Sequence, residues 1–189
     1  MSKFPTISCG TDSAVQPNFV NVKRYRLIFC DLDGTLIETA SGKTFSEGIW
    51  DCKPRIDVWD ALKKCNPETI VIVTNQGGVE KGFVRKRSCD AKIEYVNCCL
   101  GDYTGAAVFS QVCYSNDPNN INRKPNTGML SSAIIKQNGY GSNYGRRECL
   151  MIGDASGLPG QFSDSDKKTA ENFGCDYMDV NEFVKSVSL

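Results

Sequence analysis

The chain has 189 residues, 22 basic and 22 acidic side chains and no histidine, so its formal net charge is zero. That length buries a sizeable core as one domain, and the neutral balance excludes a global field toward nucleic acid or anionic membrane while leaving local basic patches open. Ten cysteines without a single C-x-x-C pair, several inside apolar runs (Cys30, Cys113, Cys149), read as small core residues and not as a disulfide framework or a zinc site.

Residues 1–24 are polar, carry Pro5 and Pro17, and read as an arm or irregular edge, with 25–189 as one domain. The N-terminus lacks the apolar stretch of a signal peptide and no run reaches transmembrane length, so an intracellular, reducing compartment is expected, nucleus or cytoplasm. The pattern predicts a strand over 25–30, a polar glycine-containing insertion over 34–53, and a helix over 56–65 with apolar spacing at Ile56, Trp59 and Leu62. The β-branched run 69–73 predicts a buried strand. A helix with an exposed basic start follows over 79–100, then a strand over 106–113. The spacing next predicts a helix over 127–137 ended by Asn138-Gly139, and a strand over 149–152. The last elements are a short helix over 166–173 closed by Gly174, a strand over 175–178 and a helix over 180–187. This alternation predicts an open, mostly parallel α/β sheet with helices on both faces.

Asp31-Leu32-Asp33-Gly34-Thr35 follows the apolar stretch Leu27-Ile28-Phe29-Cys30. Two carboxylates this close raise each other's pKa unless a cation sits between them. Ligands of open α/β sheets bind at the carboxyl ends of the strands, and Gly34 permits a sharp turn there. The run therefore reads as a metal-assisted reaction centre, with a plain strand-end acidic turn as the alternative. Other strands end in comparable chemistry. Val71-Ile72-Val73 leads into Thr74-Asn75-Gln76-Gly77-Gly78, whose hydroxyl, amides and backbone N–H groups suit a phosphate oxyanion. Leu150-Met151-Ile152-Gly153 ends in Asp154, and Arg123-Lys124-Pro125 leads into a helix. In a parallel sheet, Asp31, Thr74 and Asp154 converge on one edge.

These four elements, Asp31-Leu32-Asp33-Gly34-Thr35-Leu36, Val73-Thr74-Asn75, Lys124-Pro125 and Gly153-Asp154, resemble the motifs of the haloacid dehalogenase superfamily of phosphatases. The resemblance implies a Rossmann-like sheet and Mg²⁺-dependent phosphoryl transfer through an aspartyl-phosphate. It makes Asp31 the nucleophile and Asp33 the acid for the leaving alkoxide and then the base for water. Thr74 and Asn75 would hold the phosphoryl oxygens, Lys124 would neutralise their charge, and Asp154 would hold Mg²⁺ with Asp31 and the backbone carbonyl of Asp33. A phosphate dianion repels a carboxylate, so Mg²⁺ and Lys124 must screen it. A carboxyl kept protonated by a neighbouring anion is what Asp33 needs for its acid step.

A narrower resemblance, over 25–185, is to the phosphatase domain of polynucleotide kinase/3′-phosphatases. It rests on Ser41-Gly42-Lys43-Thr44-Phe45, Trp50, Arg123-Lys124-Pro125-Asn126-Thr127-Gly128-Met129, Gly153-Asp154-Ala155-Ser156-Gly157, and Phe162-Ser163-Asp164-Ser165-Asp166 followed by Ala170, Asn172 and Gly174. It implies removal of terminal 3′-phosphates from DNA in strand-break repair, with kinase and ligase steps left to separate proteins. Under it Asp166 supports the metal or orients Lys124; read alone, Ser163 and Asp166 also fit a capping box. Ser41-Gly42-Lys43-Thr44 mimics the end of a Walker A loop, but Ile37 stands where its first glycine belongs, so the run reads as a rim loop or surface hairpin. No large cap domain fits the spacing. Lys43, Lys81, Arg85, Lys86, Arg87 and Arg123 are candidate DNA contacts, with a solvated helix start as the plainer reading of the cluster. Phe83, Trp50 and Tyr114 offer either base stacking or core and rim packing. Two other functions stay open: a small-metabolite phosphatase acting on a sugar or histidinol phosphate, and a non-catalytic DNA-end binding module.

Overall fold

The computed structural model describes residues 25–43, 46 and 48–188; the arm expected over 1–24, and Thr44 and Phe45 of the rim run, lie outside them. Five strands form one parallel sheet: β1 (Leu27–Cys30), β4 (Thr69–Asn75), β5 (Ala107–Cys113), β6 (Cys149–Gly153) and β7 (Asp176–Asp179), in the order β5-β4-β1-β6-β7. Within the expected insertion, β2 (Ile37–Thr39) and β3 (Cys52–Pro54) pair as a small antiparallel hairpin. The helices are α1 (Ile56–Cys65), α2 (Lys86–Thr104), α3 (Gly128–Gly139), α4 (Ser165–Phe173) and α5 (Val180–Ser188).

Alternation along the strands divides the core in two. On β1, Ile28 and Cys30 face one side with Ile70 and Ile72 of β4 and Leu150 and Ile152 of β6, under α1, α2 and α5. Leu27 and Phe29 face the other with Val71, Val73 and Met151, under α3 and α4. All four residues of β1 are fully buried, as a central parallel strand covered on both faces requires. This is the open parallel α/β sheet with helices on both faces that the alternation predicts. Among the described residues every cysteine is a free thiol, and no helix is long and apolar enough to cross a membrane.

Most boundaries fall within two residues of the expectations, and the larger differences have physical causes. The helix expected over 79–100 begins only at Lys86 and runs on to Thr104. Residues 77–84 are successive turns instead, with Gly82 at φ +73°, a conformation that breaks a helix. The strand expected over 175–178 is Asp176–Asp179, shifted by the left-handed Gly174 cap that closes α4. Ile56 is half exposed at the start of α1, whose buried face is Val58, Trp59, Ala61 and Leu62.

Phe29 is fully buried and packs edge-to-face on Phe173 of α4, with ring centroids 5.9 Å apart. Phe29→Ala should lower the unfolding free energy by about 3–5 kcal/mol. Ile135→Ala, on a surface position of α3 that is 72% exposed, should change it by no more than about 0.5 kcal/mol. Urea denaturation of the two variants checks the contrast.

Candidate active site

From β1 the chain moves outward to β4 and β5, then returns to the other side of β1 for β6 and β7. That reversal opens a crevice at the carboxyl ends of the central strands. Asp31 follows β1 directly, its backbone N–H donating to Ile152 O at 3.0 Å. Thr74 and Asn75 are the last two residues of β4, and Asp154 follows β6. Lys124 reaches in from the loop before α3, and Asp166 from the first turn of α4. All of these line one cleft of about 910 Å³.

Lys124 is the centre of the charge arrangement. Its Nζ donates to Asp31 Oδ1 at 2.6 Å and to Asp166 Oδ1 at 2.7 Å, and its side chain is almost wholly buried. Burial alone would favour the neutral amine, but the Asp166 and Asp31 carboxylates outweigh it and hold the ammonium charged, above its ordinary range. Oxygens of Asp31, Asp154 and Asp166 lie within 4.8 Å of one another. One ammonium does not neutralise three carboxylates. Burial accordingly pushes Asp31 up to about 8, with Asp166 and Asp154 adding to the rise and Lys124 opposing it. Burial and Asp166 push Asp154 up to about 6.

The surplus negative charge and the all-oxygen donor set fit a hard divalent cation, so this cluster could bind a metal. Two glycines make the approach possible. A Cβ on Gly34, which has φ +89°, would lie 2.2 Å from Asp154 Oδ2, and one on Gly153 would lie 2.2 Å from Asp166 Oδ2. Asp166 also accepts the Ala155 N–H at 3.1 Å. The capping box of Ser163 and Asp166 does not form: Ser163 Oγ accepts from Ser165 N–H, while the Asp166 carboxylate turns inward to Lys124.

Asp33 stands apart from the three clustered carboxylates. An anion beside it is not what the structure holds. Its contacts are donors: Lys92 Nζ at 3.0 and 3.2 Å to its two oxygens, and Gln76 Nε2 at 2.7 Å. Gln76 Nε2 also meets Thr74 Oγ1 at 2.8 Å. The sequence reading missed Lys92 as a site residue and gave Gln76 only as one of the amides of the phosphate-binding turn. A signal for Lys92 was present, because α2 buries Cys89, Lys92, Ile93, Val96 and Leu100 on one face, and a lysine on an apolar stripe needs a partner. Asn75 lines the same cleft. Its amide is committed to the Lys124 backbone, accepting from Lys124 N at 3.0 Å and donating to Lys124 O at 3.1 Å. It positions Lys124, which leaves Thr74 as the strand-end side chain with a hydroxyl at the cleft.

Of the basic candidates, Lys43, Lys81 and Arg123 line the cleft and Arg85, Lys86 and Arg87 do not. Lys86 pairs with Asp90 at 2.7 Å and sits 4.4 Å over the Tyr114 ring. Tyr114 in turn donates to Asp90 and is half-buried. Phe83 lines the cleft and is 77% exposed; Trp50 is also exposed but is not part of the lining.

The family model for polynucleotide kinase 3 phosphatase matches residues 26–184. The bifunctional polynucleotide phosphatase/kinase of Schizosaccharomyces pombe is 29% identical over 178 residues, 92% of this chain and 41% of the yeast protein. The chain thus spans less than half the length of that relative. An uncharacterised 20.8 kDa protein from the FGF-VUBI intergenic region of Autographa californica nuclear polyhedrosis virus is 27% identical over 171 residues, 86% of this chain and 87% of the viral one. Among solved structures, the D,D-heptose 1,7-bisphosphate phosphatase of B. bronchiseptica, complexed with magnesium and phosphate, has a TM-score of 0.63 at 19% identity and covers 80% of this chain and 78% of its own. A HAD-like phosphatase of Mesorhizobium loti also reaches 0.63 at 19% identity, covering 87% of this chain and 85% of its own. At these identities the two structures share the fold.

Without a metal, folded Asp31 and Asp154 bind protons more tightly than the ordinary carboxylate at 3.8. The stability they contribute is complete below that value and is lost as the pH rises through about 6 and about 8. In chelator, Tm should fall between about pH 5 and pH 8.5, and Asp31→Asn should flatten that slope. A saturating divalent cation should raise Tm more at the alkaline end, because protons compete for the same carboxylates. A cation shift that ignores pH would exclude these carboxylates as its ligands.

Proposed function

This chain belongs to the polynucleotide kinase 3 phosphatase family, and we propose that it is a polynucleotide 3′-phosphatase that clears terminal 3′-phosphates from DNA during strand-break repair. The observation that carries the reading is the constellation of Asp31, Asp33, Thr74 and Lys124 on one cleft, with Asp154 and Asp166 beside them, in a chain of that family. The donor set fits Mg²⁺ held by Asp31, Asp154 and the backbone carbonyl of Asp33, with Asp166 in support. The ion would supply charge neutralisation toward the phosphoryl oxygens.

The chain's own residues divide the rest of the work. Lys124 screens the phosphate dianion and the Thr74 hydroxyl donates to one of its oxygens. The Asp31 carboxylate attacks phosphorus in line, forming an aspartyl-phosphate as the bond to the 3′ oxygen breaks. Asp33, entering the step as the protonated carboxyl, gives that oxygen its proton. Asp33 then takes a proton from water, whose oxygen displaces Asp31 and releases inorganic phosphate. The 3′-hydroxyl left behind is what a ligase or polymerase acting separately requires, and a separate kinase would supply the 5′-phosphate. Among the described residues the insertion is a short β2–β3 hairpin whose Lys43 and Ser46 line the cleft, and a cleft without a large cap suits a polymer end. Lys43, Lys81 and Arg123 on its lining are suited to the flanking backbone phosphates. DNA in nucleus or cytoplasm is the setting this reading requires.

The deciding experiment compares phosphate release from a 3′-phosphorylated oligonucleotide, its 5′-phosphorylated counterpart and sugar phosphates, with Mg²⁺ or with chelator. Release should be confined to the 3′-phosphate and should require Mg²⁺. Preference for a sugar phosphate would point to a metabolite phosphatase, and no turnover of any ester to a binding module.

Asp31→Asn should keep its fold and lose nearly all turnover; retention of more than about a tenth of the rate would remove Asp31 as nucleophile. Lys43→Glu with Lys81→Glu should weaken oligonucleotide binding while sparing turnover of a small aryl phosphate. The logarithmic salt slope of that binding should flatten by about 1.4, from roughly 0.7 per lost single-strand phosphate contact. Equal loss on both substrates would show that these lysines serve the site itself.

A further inference from the structure

Lys92 lies on α2 with its side chain 1% exposed, and its ammonium is spent entirely inside the protein. It donates to both oxygens of Asp33, at 3.0 and 3.2 Å, and to the backbone carbonyl of Ser46 at 3.3 Å. Ser46 belongs to the insertion and lines the same cleft as Asp33. Three separate segments therefore meet at one cation: the turn after β1, helix α2 and the insertion. From the other side, Gln76 Nε2 holds Asp33 Oδ2 at 2.7 Å. Gln76 Oε1 is itself anchored by Cys89 Sγ of α2 at 3.3 Å. Both oxygens of Asp33 are thus gripped by groups that take their position from α2.

A buried lysine is an expensive way to fill space, because its charge must leave water. An apolar side chain of similar length would pack the same position on the stripe of Cys89, Ile93, Val96 and Leu100. What the ammonium adds is direction. A carboxyl that must deliver a proton to a leaving oxygen works only within hydrogen-bond reach of it, and a displacement of an ångström is costly. Asp33 sits on the turn Asp33–Leu36, whose Gly34 has φ +89°, and the turn alone leaves its χ angles free.

We propose that Lys92, assisted by Gln76, is a positioning residue that fixes the Asp33 carboxyl for proton transfer to the leaving oxygen, and that it ties this placement to the insertion at the cleft rim through Ser46. The inference rests on the reading of Asp33 as the proton carrier.

Leaving-group dependence tests it. A p-nitrophenolate departs without protonation, whereas the alkoxide of an alkyl or nucleoside 3′-phosphate needs a proton. Lys92→Met should lower kcat/KM on an alkyl phosphate by about 10²-fold, within the range a general acid contributes, and kcat/KM on p-nitrophenyl phosphate by less than about 3-fold. The ratio kcat/KM reads the steps up to release of the leaving group, so the later role of Asp33 toward water does not enter the comparison. Asp33→Asn, measured alongside, should show the same asymmetry at greater depth. Equal losses on both esters in Lys92→Met, with asymmetry in Asp33→Asn, would overturn the positioning role and leave Lys92 a structural cation. Equal losses in Asp33→Asn would instead overturn the reading of Asp33. Removing one partner of a buried pair can prevent folding. Gln76→Ala, which leaves the ion pair in place, then carries the test: asymmetric loss supports the proposal and symmetric loss overturns it.

Discussion

Three carboxylates and one ammonium crowd together on one cleft, all but Asp154 buried, and the surplus of negative charge governs how the site is built. Lys124 bridges Asp31 and Asp166 at 2.6 and 2.7 Å, and among the described residues Asp154 has no ion pair of its own. Protons compensate the imbalance in the chain by itself, as the raised values of Asp31 and Asp154 express. A divalent ion on the same oxygens could compensate it likewise. A fold that keeps such a cluster must restrain it from several directions, since mutual repulsion would otherwise open it.

The parallel sheet provides that restraint. Three adjacent buried strands hold one register: Cys30, the last residue of β1, pairs with Ile72 on one side and Ile152 on the other, and β4 runs on to Asn75 and β6 to Gly153. The residues that follow are thereby delivered side by side with little freedom. The glycines complete the arrangement where a side chain would collide. Gly34 leaves room for Asp154, and Gly153 leaves room for Asp166. Asn75 extends the same logic by clamping the backbone of Lys124 with both ends of its amide. The hydrophobic cores on the two faces of the sheet therefore stabilise the fold and also bear the electrostatic strain of the site.

The two aspartates of the first motif occupy opposite electrostatic surroundings although one residue separates them. Asp31 is packed among anions around a single ammonium. Asp33 is packed among donors, with a buried lysine and an amide on its oxygens. Alternation along an extended chain would put residues two apart on one face; the bend at Leu32 breaks it, and each carboxylate meets a different helix: α4 supplies Asp166 to the first, α2 supplies Lys92 to the second. Equivalent residue types can take different roles in one reaction for this reason.

Much of this was legible in the chain alone. Apolar runs of four to seven residues alternating with helical spacing determine a parallel α/β sheet, and carboxylates placed directly after such runs determine which edge carries the chemistry, because strand ends are fixed by local hydrophobic pattern. The order of motifs from Asp31 to Asp154 determined the family in the same way. Partnerships across long separations were decided only by the tertiary structure. Lys92 meets Asp33 from 59 residues away and Lys124 meets Asp166 from 42, and no local pattern encodes which distant charge will complete a buried pair. The same holds for the turns over 77–84, where helical spacing gave way to a glycine conformation and to the needs of the cleft they line. Local sequence sets which backbone an element adopts; burial, a property of the whole chain, sets which charges must find one another.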